Sequence, residues 1–398
     1  LPIYALNANT TGDSNTAVGM DALKGNTTGA NNVGVGTSAG TLNTTGTRNI
    51  AIGPNAYNSS DTENDNLAIG YNAMTTNTAG GTLNVAIGNY TLDALTSGDG
   101  NVGVGYQVLS ALTTGGTNTA IGHQAMMEST GADGNTAVGN HALENNSTGG
   151  SNVAVGRYAL ESNTTADDNV AVGYRAAYEN TTGTRNVAVG TQALDANTTA
   201  SSNTAIGHFA LKANTTGADN VALGKAAAVA NTTGANNVAI GSNTLETSTT
   251  GTELVAIGQG VLNANTTGNY NTAVGFSAMI SNTTGASNVG IGKNALYSNT
   301  TADSNVVIGQ DAMYNNTTGA SNTCVGRASG NSLTSGSNNL FIGRDSGRPG
   351  SPGGEFDGED NRIVLGDENI TNAHIQVDWT VASDQRDKTD FTDLDVGL

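Results

Sequence analysis

Asn152-Val153-Ala154-Val155-Gly156-Arg157-Tyr158-Ala159-Leu160-Glu161-Ser162-Asn163-Thr164-Thr165-Ala166-Asp167-Asp168 is one unit of a pattern that fills most of the chain. Its opening motif, Asn-x-Ala-Val-Gly with small variations, ends at Gly19, Gly36, Gly53, Gly70 and Gly88 and continues to Gly343, twenty times in all. Every step is 17 residues except the 18 between Gly70 and Gly88. The extra residue falls in Ala79-Gly80-Gly81-Thr82-Leu83, where a turn absorbs it. Self-similarity at a fixed short period is the signature of stacked repeats.

Within each unit the residue before the glycine is Val or Ile, once Leu223. Two places earlier stands Val, Thr, Ile or Leu, and a small residue, usually Ala or Gly, lies between. Large, small, large is a period of two, rich in β-branching, so it predicts a short strand with one buried face. A second apolar step, Ala159-Leu160 or Ala193-Leu194, follows four residues later. A glycine in every unit, with Asn-Thr-Thr-Gly segments between, leaves no room for a helix of three turns. Those Asn-Thr-Thr-Gly segments read as turns with left-handed backbone and side chains bonding neighbouring amides. Ala166, Ala200 and Ala302 replace the turn glycine, so positive φ there is preferred rather than compulsory. The glycine after the strand never varies, which points to positive φ or to a backbone too close for a Cβ. Asn precedes the strand in every unit but that of Leu254. In register, such asparagines form amide ladders along the axis.

The fold class that follows is all-β: a β-solenoid or β-roll of stacked 17-residue coils over residues 1–343. At a sheet spacing of about 4.8 Å, twenty coils make a rod about 95 Å long. So thin a core gains from a partner, and an outward Ala/Gly stripe would let another chain approach closely; the expected assembly is a homotrimer around the fibre axis. After Gly343 the period fails, and residues 344–360, with Pro349, Pro352 and several acids, read as a linker or loop. Residues 361–382 read as terminal strands: Asn361-Arg362-Ile363-Val364-Leu365-Gly366, then an alternating run from Ile370 to Trp379. The chain opens in mid-repeat at Leu1, so a preceding portion is expected.

Composition excludes several classes. The chain of 398 residues holds 55 glycines but only 4 % aromatics, unlike a compact α/β enzyme. Net charge is −19, so nothing marks a nucleic-acid partner or an anionic membrane surface. No apolar run approaches the roughly 20 residues of a membrane span. The single cysteine, Cys324, rules out an intrachain disulfide framework and sits in the small-residue slot as a space-filler.

The repeat resembles those of phage and bacterial tail-fibre-domain proteins and, more distantly, the shorter head repeats of trimeric autotransporter adhesins. The tail, Ser383-Asp384-Gln385-Arg386-Asp387-Lys388-Thr389-Asp390, resembles the opening of the endosialidase-type intramolecular chaperone that ends many phage fibres. In that family the chaperone drives trimer assembly of the shaft and then cuts itself off. The resemblance implies Ser383 as nucleophile, Lys388 as its base and a scissile bond after Ala382; a lysine depressed by burial can deprotonate a serine. The family's chaperone runs for about a hundred residues, whereas residues 383–398 hold only its start. The resemblance further implies a virion appendage, in the tail or on the capsid, with other fibre or baseplate proteins as partners and host-surface polysaccharide as a target. A surface adhesin of the autotransporter type is the alternative, and an ice-binding solenoid a more distant one, since the Thr pairs lie consecutively in turns. Beyond single-turnover self-cleavage the reading expects no enzyme activity, no cofactor and no metal.

Candidate ligand-binding residues are aromatics one or two places after the repeat glycine: Tyr71, Tyr90, Tyr106, Tyr158, Tyr174, Phe209 and Phe276. Flat rings on a ridge can stack on sugar faces or pack at a seam between chains. His123, His141 and His208 occupy similar positions and are expected to be separate surface residues. Glu355, Asp357, Glu359 and Asp360 form an acid cluster whose spacing fits no EF-hand, so it reads as a solvated loop. Gly34-Val35-Gly36 and Gly103-Val104-Gly105 mimic a dinucleotide fingerprint without the βαβ context that gives it meaning.

Overall fold

The computed structural model describes residues 3–77 and 80–372. Those residues form twenty-one three-residue strands, from Thr16–Val18 to Ile363–Leu365, and no helix, so none that is long and apolar enough to cross a membrane. Each strand pairs in parallel with the strand one coil away, as Val153, Ala154 and Val155 do with Val170, Ala171 and Val172. The chain is an all-β solenoid with a single continuous sheet along one side. Elsewhere in each coil, backbone groups also bond the neighbouring coil: the Leu160 amide donates to the Ala176 carbonyl and the Thr164 amide to the Thr181 carbonyl.

The 18-residue step leaves the register intact, with Leu67 opposite Val85. The Asn77 side chain reaches the Gly81 carbonyl four residues on, where Asn163 reaches Ala166 three residues on. The last coil is longer, with Leu340 opposite Ile363 and so 23 residues from strand to strand. Residues 344–360 form its body: Ser346 and Phe356 are buried, and the Asp357 carbonyl accepts from Thr334 as its counterparts do elsewhere. Asn361 to Gly366 supplies one more strand of the same kind. Most of the alternating run to Trp379 lies outside the described residues.

The two strand faces are the reverse of the expectation. The small residue points inward: Ala154 and Ala171 are fully buried, whereas Val155 and Val172 are 36 % exposed. Width is the reason. The inward space is already filled by the second apolar step, Ala159 and Leu160, and by asparagines. A Cβ added to Gly34, in the strand's small slot, would meet Leu23 Cγ at 2.8 Å. A larger residue fits only where its neighbours shrink. Phe341 is buried in that slot because Gly330 and Gly347 stand where other coils carry Leu, and both lie against its ring. Cys324 is buried there as a space-filler, its thiol pushed up to about 12 by burial.

The amide ladders are present, and there are two. In the column before the strand, the Asn152 amide donates to Asn135 Oδ1, and Asn152 Oδ1 accepts from the Asn169 amide. In the turn column, Asn163 Nδ2 donates to Asn146 Oδ1, and Asn180 Nδ2 to Asn163 Oδ1. The columns meet at one atom: the Ala166 carbonyl accepts from Asn152 Nδ2 at 2.8 Å and Asn163 Nδ2 at 3.0 Å. Where both columns are continuous, each buried side-chain amide thereby finds the partners that burial demands.

The invariant glycine meets both of its predicted needs. Gly156 has φ 137°, and a Cβ there would lie 2.5 Å from the Gly173 carbonyl oxygen. The turn is a different matter. Gly149 is not left-handed; its want of a Cβ makes room for Asn146 and the Ala166 carbonyl. The left-handed residues are instead Ser151, Tyr158 and Leu160, with counterparts in nearly every coil. Each such non-glycine residue costs on the order of 1 kcal/mol or more, held in place by packing and inter-coil bonds.

At two breaks in the turn column an orphan remains. Ser248 replaces Asn, leaving Asn231 Oδ1 buried without a partner, and Leu254 replaces Asn in the other column of the same unit. Leu95 likewise leaves Asn77 Oδ1 unpaired. Restoring both columns with Ser248→Asn and Leu254→Asn is expected to stabilise the rod by about 1 kcal/mol per recovered bond. Denaturant melts with amide exchange across residues 231–271 measure this, and a lower midpoint would contradict it.

Candidate functional site

Each coil turns a corner at its invariant glycine, and the next two side chains stand on that corner, the second of them left-handed, as at Tyr158. Because coils repeat in register, corner side chains form columns along the rod. From Tyr71 to Tyr174 the corners carry rings on seven successive coils. Centroid distances run 5.4 Å from Tyr71 to Tyr90, 6.1 Å to Tyr106, 5.5 Å to His123, 5.5 Å to His141, 5.3 Å to Tyr158 and 6.3 Å to Tyr174. The rings are shared between the two corner positions: Tyr71, Tyr106, His123 and Tyr174 directly follow the glycine, and Tyr90, His141 and Tyr158 stand one place later. Tyr71, Tyr106 and Tyr174 are 41–43 % exposed, and the rings one place later are half-buried. Interplanar angles range from 20° to 85°, so the strip zigzags and is not one flat stack.

Each of these coils carries one ring and one hydrogen-bonding side chain at its corner, as in Asn89-Tyr90, Tyr106-Gln107, His123-Gln124 and Tyr174-Arg175. Gln124 donates to Gln107 along the rod. Arg157 lies 4.4 Å from the Tyr158 centroid and donates to its hydroxyl, while Arg175 lies 4.0 Å from the Tyr178 centroid and pairs with Asp195. These contacts hold the guanidinium groups against the rings. A row of acids runs alongside: Asp93, Glu144, Glu161 and Asp195 occupy equivalent places in their coils. His141 Nδ1 meets Glu144 at 2.6 Å. Burial, with Glu144 one coil away, pushes the Glu161 carboxyl up.

Of the predicted aromatics, Tyr71, Tyr106, Tyr158 and Tyr174 are brought together with Tyr90. Phe209 is apart, packed on His208 at 3.6 Å with Lys212 over its ring, and Phe276 stands alone at 52 % exposure. The histidine expectation needs correction. His123 and His141 are ring neighbours inside the strip, and the 17-residue period already placed them on consecutive coils. Tyr297 and Tyr314 form a further pair at 4.6 Å, also missed, one period apart. Ala382, Ser383 and Lys388 lie outside the described residues.

The acid cluster near the end caps turns. Glu359 accepts from the Asp357 and Gly358 amides, and Asp360 from Ser337. Among the described residues no three His, Cys, Asp or Glu side chains are grouped to hold a metal ion. The Thr pairs divide their roles: Thr164 and Thr181 donate to the next coil's carbonyl, while Thr165 and Thr182 face solvent as a single column. No known protein family, curated protein or solved structure matches the chain.

Asp93, beside Tyr90, carries a pH signature. Partial burial pushes its carboxyl up to about 6, and its Oδ1 has no hydrogen-bond partner. The folded state therefore holds a proton that the unfolded chain releases near its ordinary value of about 4. Stability falls as pH rises through that window, because the folded form binds more protons there. Asp93→Asn is expected to raise the denaturation midpoint near neutral pH and to change it little below about pH 4. An equal effect at both would contradict the assignment.

Proposed function

We propose that this chain is the structural shaft of a fibre, a tail or capsid appendage of a virion, that holds recognition elements away from the particle. The observation that carries the reading is the unbroken in-register stack, in which neighbouring coils differ mainly at corners and turns. Such a body is stiff and long for its mass, and its only variable surface is the side-chain columns. The partners at its ends are other fibre or baseplate proteins, and residues 383–398 are the start of an assembly chaperone.

The working form is a homotrimer, and the outward Val/Ile face is its seam. Val155, Val172, Ile206, Ile257 and Ile308, 36–39 % exposed, exemplify the column before the glycine, and a second outward column two places earlier mixes Val, Ile and Leu with Thr, as at Thr136 and Thr204. Together they leave more apolar surface open than the few hundred Å² usual for a monomer, enough for a stable interface. Only a body with the same rung spacing can match those columns from end to end, and a second copy has it by construction. The face is a narrow ridge, so three copies close it around one axis. The buried alanines take no part in this contact.

Sedimentation equilibrium is expected to give three times the 39.7 kDa chain mass, and electron microscopy a thin rod. Val172→Asp with Ile206→Asp should separate the chains while keeping the β signature in circular dichroism. A parent protein that sediments as a monomer would refute the seam. For the tail, the full-length protein should yield a fragment ending at Ala382, absent from Ser383→Ala; a cut unchanged in that variant removes Ser383 from the role.

A further inference from the structure

We propose that the strip from Tyr71 to Tyr174 is a binding site for a linear polysaccharide lying along the rod. This deepens the fibre reading and rests on it for biological purpose, though the binding chemistry stands on the strip alone. Three observations carry it. The first is extent. The Val/Ile columns that would join chains continue through the whole rod, whereas the rings occupy seven successive coils and then stop, at Pro54 below and Thr191 above. A seam between identical rods has no reason to begin and end there. A bounded ligand site does.

The second is the composition of each rung. A pyranose ring offers a flat face of C–H groups and a rim of hydroxyls. One exposed or half-exposed ring beside one amide or guanidinium, repeated coil after coil, supplies a stacking surface and a hydrogen-bonding partner for each. Arg157 and Arg175, already fixed against Tyr158 and Tyr178, can donate to hydroxyls or carboxylates without losing much side-chain freedom on binding.

The third is the step. Each coil of the strip contributes one ring, and neighbouring centroids lie 5.3–6.3 Å apart, so successive contacts recur at an interval of the order of one sugar unit in an extended chain. A peptide presents no comparable repeat of flat faces. The shaft's −19 charge also disfavours nucleic acid, whose bases would otherwise stack on such rings.

The test is native electrophoresis of the intact rod through gels cast with soluble linear polysaccharides: a β-linked glucan, a mannan, glycol chitin and hyaluronan. At least one should retard the parent protein. Tyr106→Ala with Tyr174→Ala, both at the exposed corner position, should weaken apparent affinity about tenfold or more, given what stacked rings contribute. Tyr297→Ala with Tyr314→Ala, a stacked pair outside the strip, should bind like the parent. No retardation by any of the four polymers overturns the proposal, as does equal retardation of parent and strip variant. Sedimentation of the same samples separates the remaining case: if removing the strip rings lowers the assembly mass and leaves retardation unchanged, they belong to a seam and the proposal fails. A globular parent in electron micrographs would instead defeat the fibre reading and leave the binding result standing.

Discussion

Two buried asparagine side chains donating to one carbonyl hold most coils to their own turn and, through their oxygens, to the coil beside them. Asn152 and Asn163 meeting at Ala166 is the instance seen in the quoted unit. A buried amide without partners would cost more than its bond returns, so the arrangement works only if neighbouring coils stay in register, and the few coils that lack an asparagine leave orphans such as Asn231 Oδ1. That condition fixes the period. A coil one residue longer must hide the excess without shifting either asparagine, and in the 18-residue step Asn77 still reaches the Gly81 carbonyl.

From that constraint the rest of the cross-section follows. Two asparagines and a Leu fill most of the interior, so in most coils the strand sends only an alanine or a glycine inward. Coil backbones approach so closely that the corner beside Gly156 admits no Cβ. The chain closes within 17 residues by holding Ser151, Tyr158 and Leu160 in left-handed backbone, a strain that neighbouring coils share and stabilise together. What is left free is the outside: two β-branched columns on the sheet, a Thr column at the turn and the two corner positions. The first is uniform and suits a uniform partner. The corners vary, and variation is what recognition requires.

Much of this was legible from residue order. The period gave the coils, the alternation gave the strands, and the recurrent Asn before each strand gave one of the two ladders. The inversion of the strand faces was not legible from alternation alone, which says that two faces differ and leaves open which one looks inward. In a wide core the larger side chains go inside; here the width was already taken by Leu160 and the asparagines, and Phe341 beside Gly330 and Gly347 was the readable exception. Two of the left-handed columns did carry a signal, in the Asn and Asp of other coils such as Asn236 and Asp168 or Asn55 and Asp311, whereas the column of Leu160 did not, because Leu does not favour that backbone. They follow from closing the coil. The histidines of the aromatic strip were readable, since positions 123 and 141 fall on consecutive corners.

Neighbouring coils are hydrogen-bonded rungs of one parallel sheet that runs along the particle. X-ray diffraction from aligned rods addresses this directly. A reflection at about 4.8 Å along the rod axis is the predicted result, from strands lying across that axis. The same spacing perpendicular to the axis, or a pattern dominated by the 5.4 Å pitch of α-helix, would contradict it.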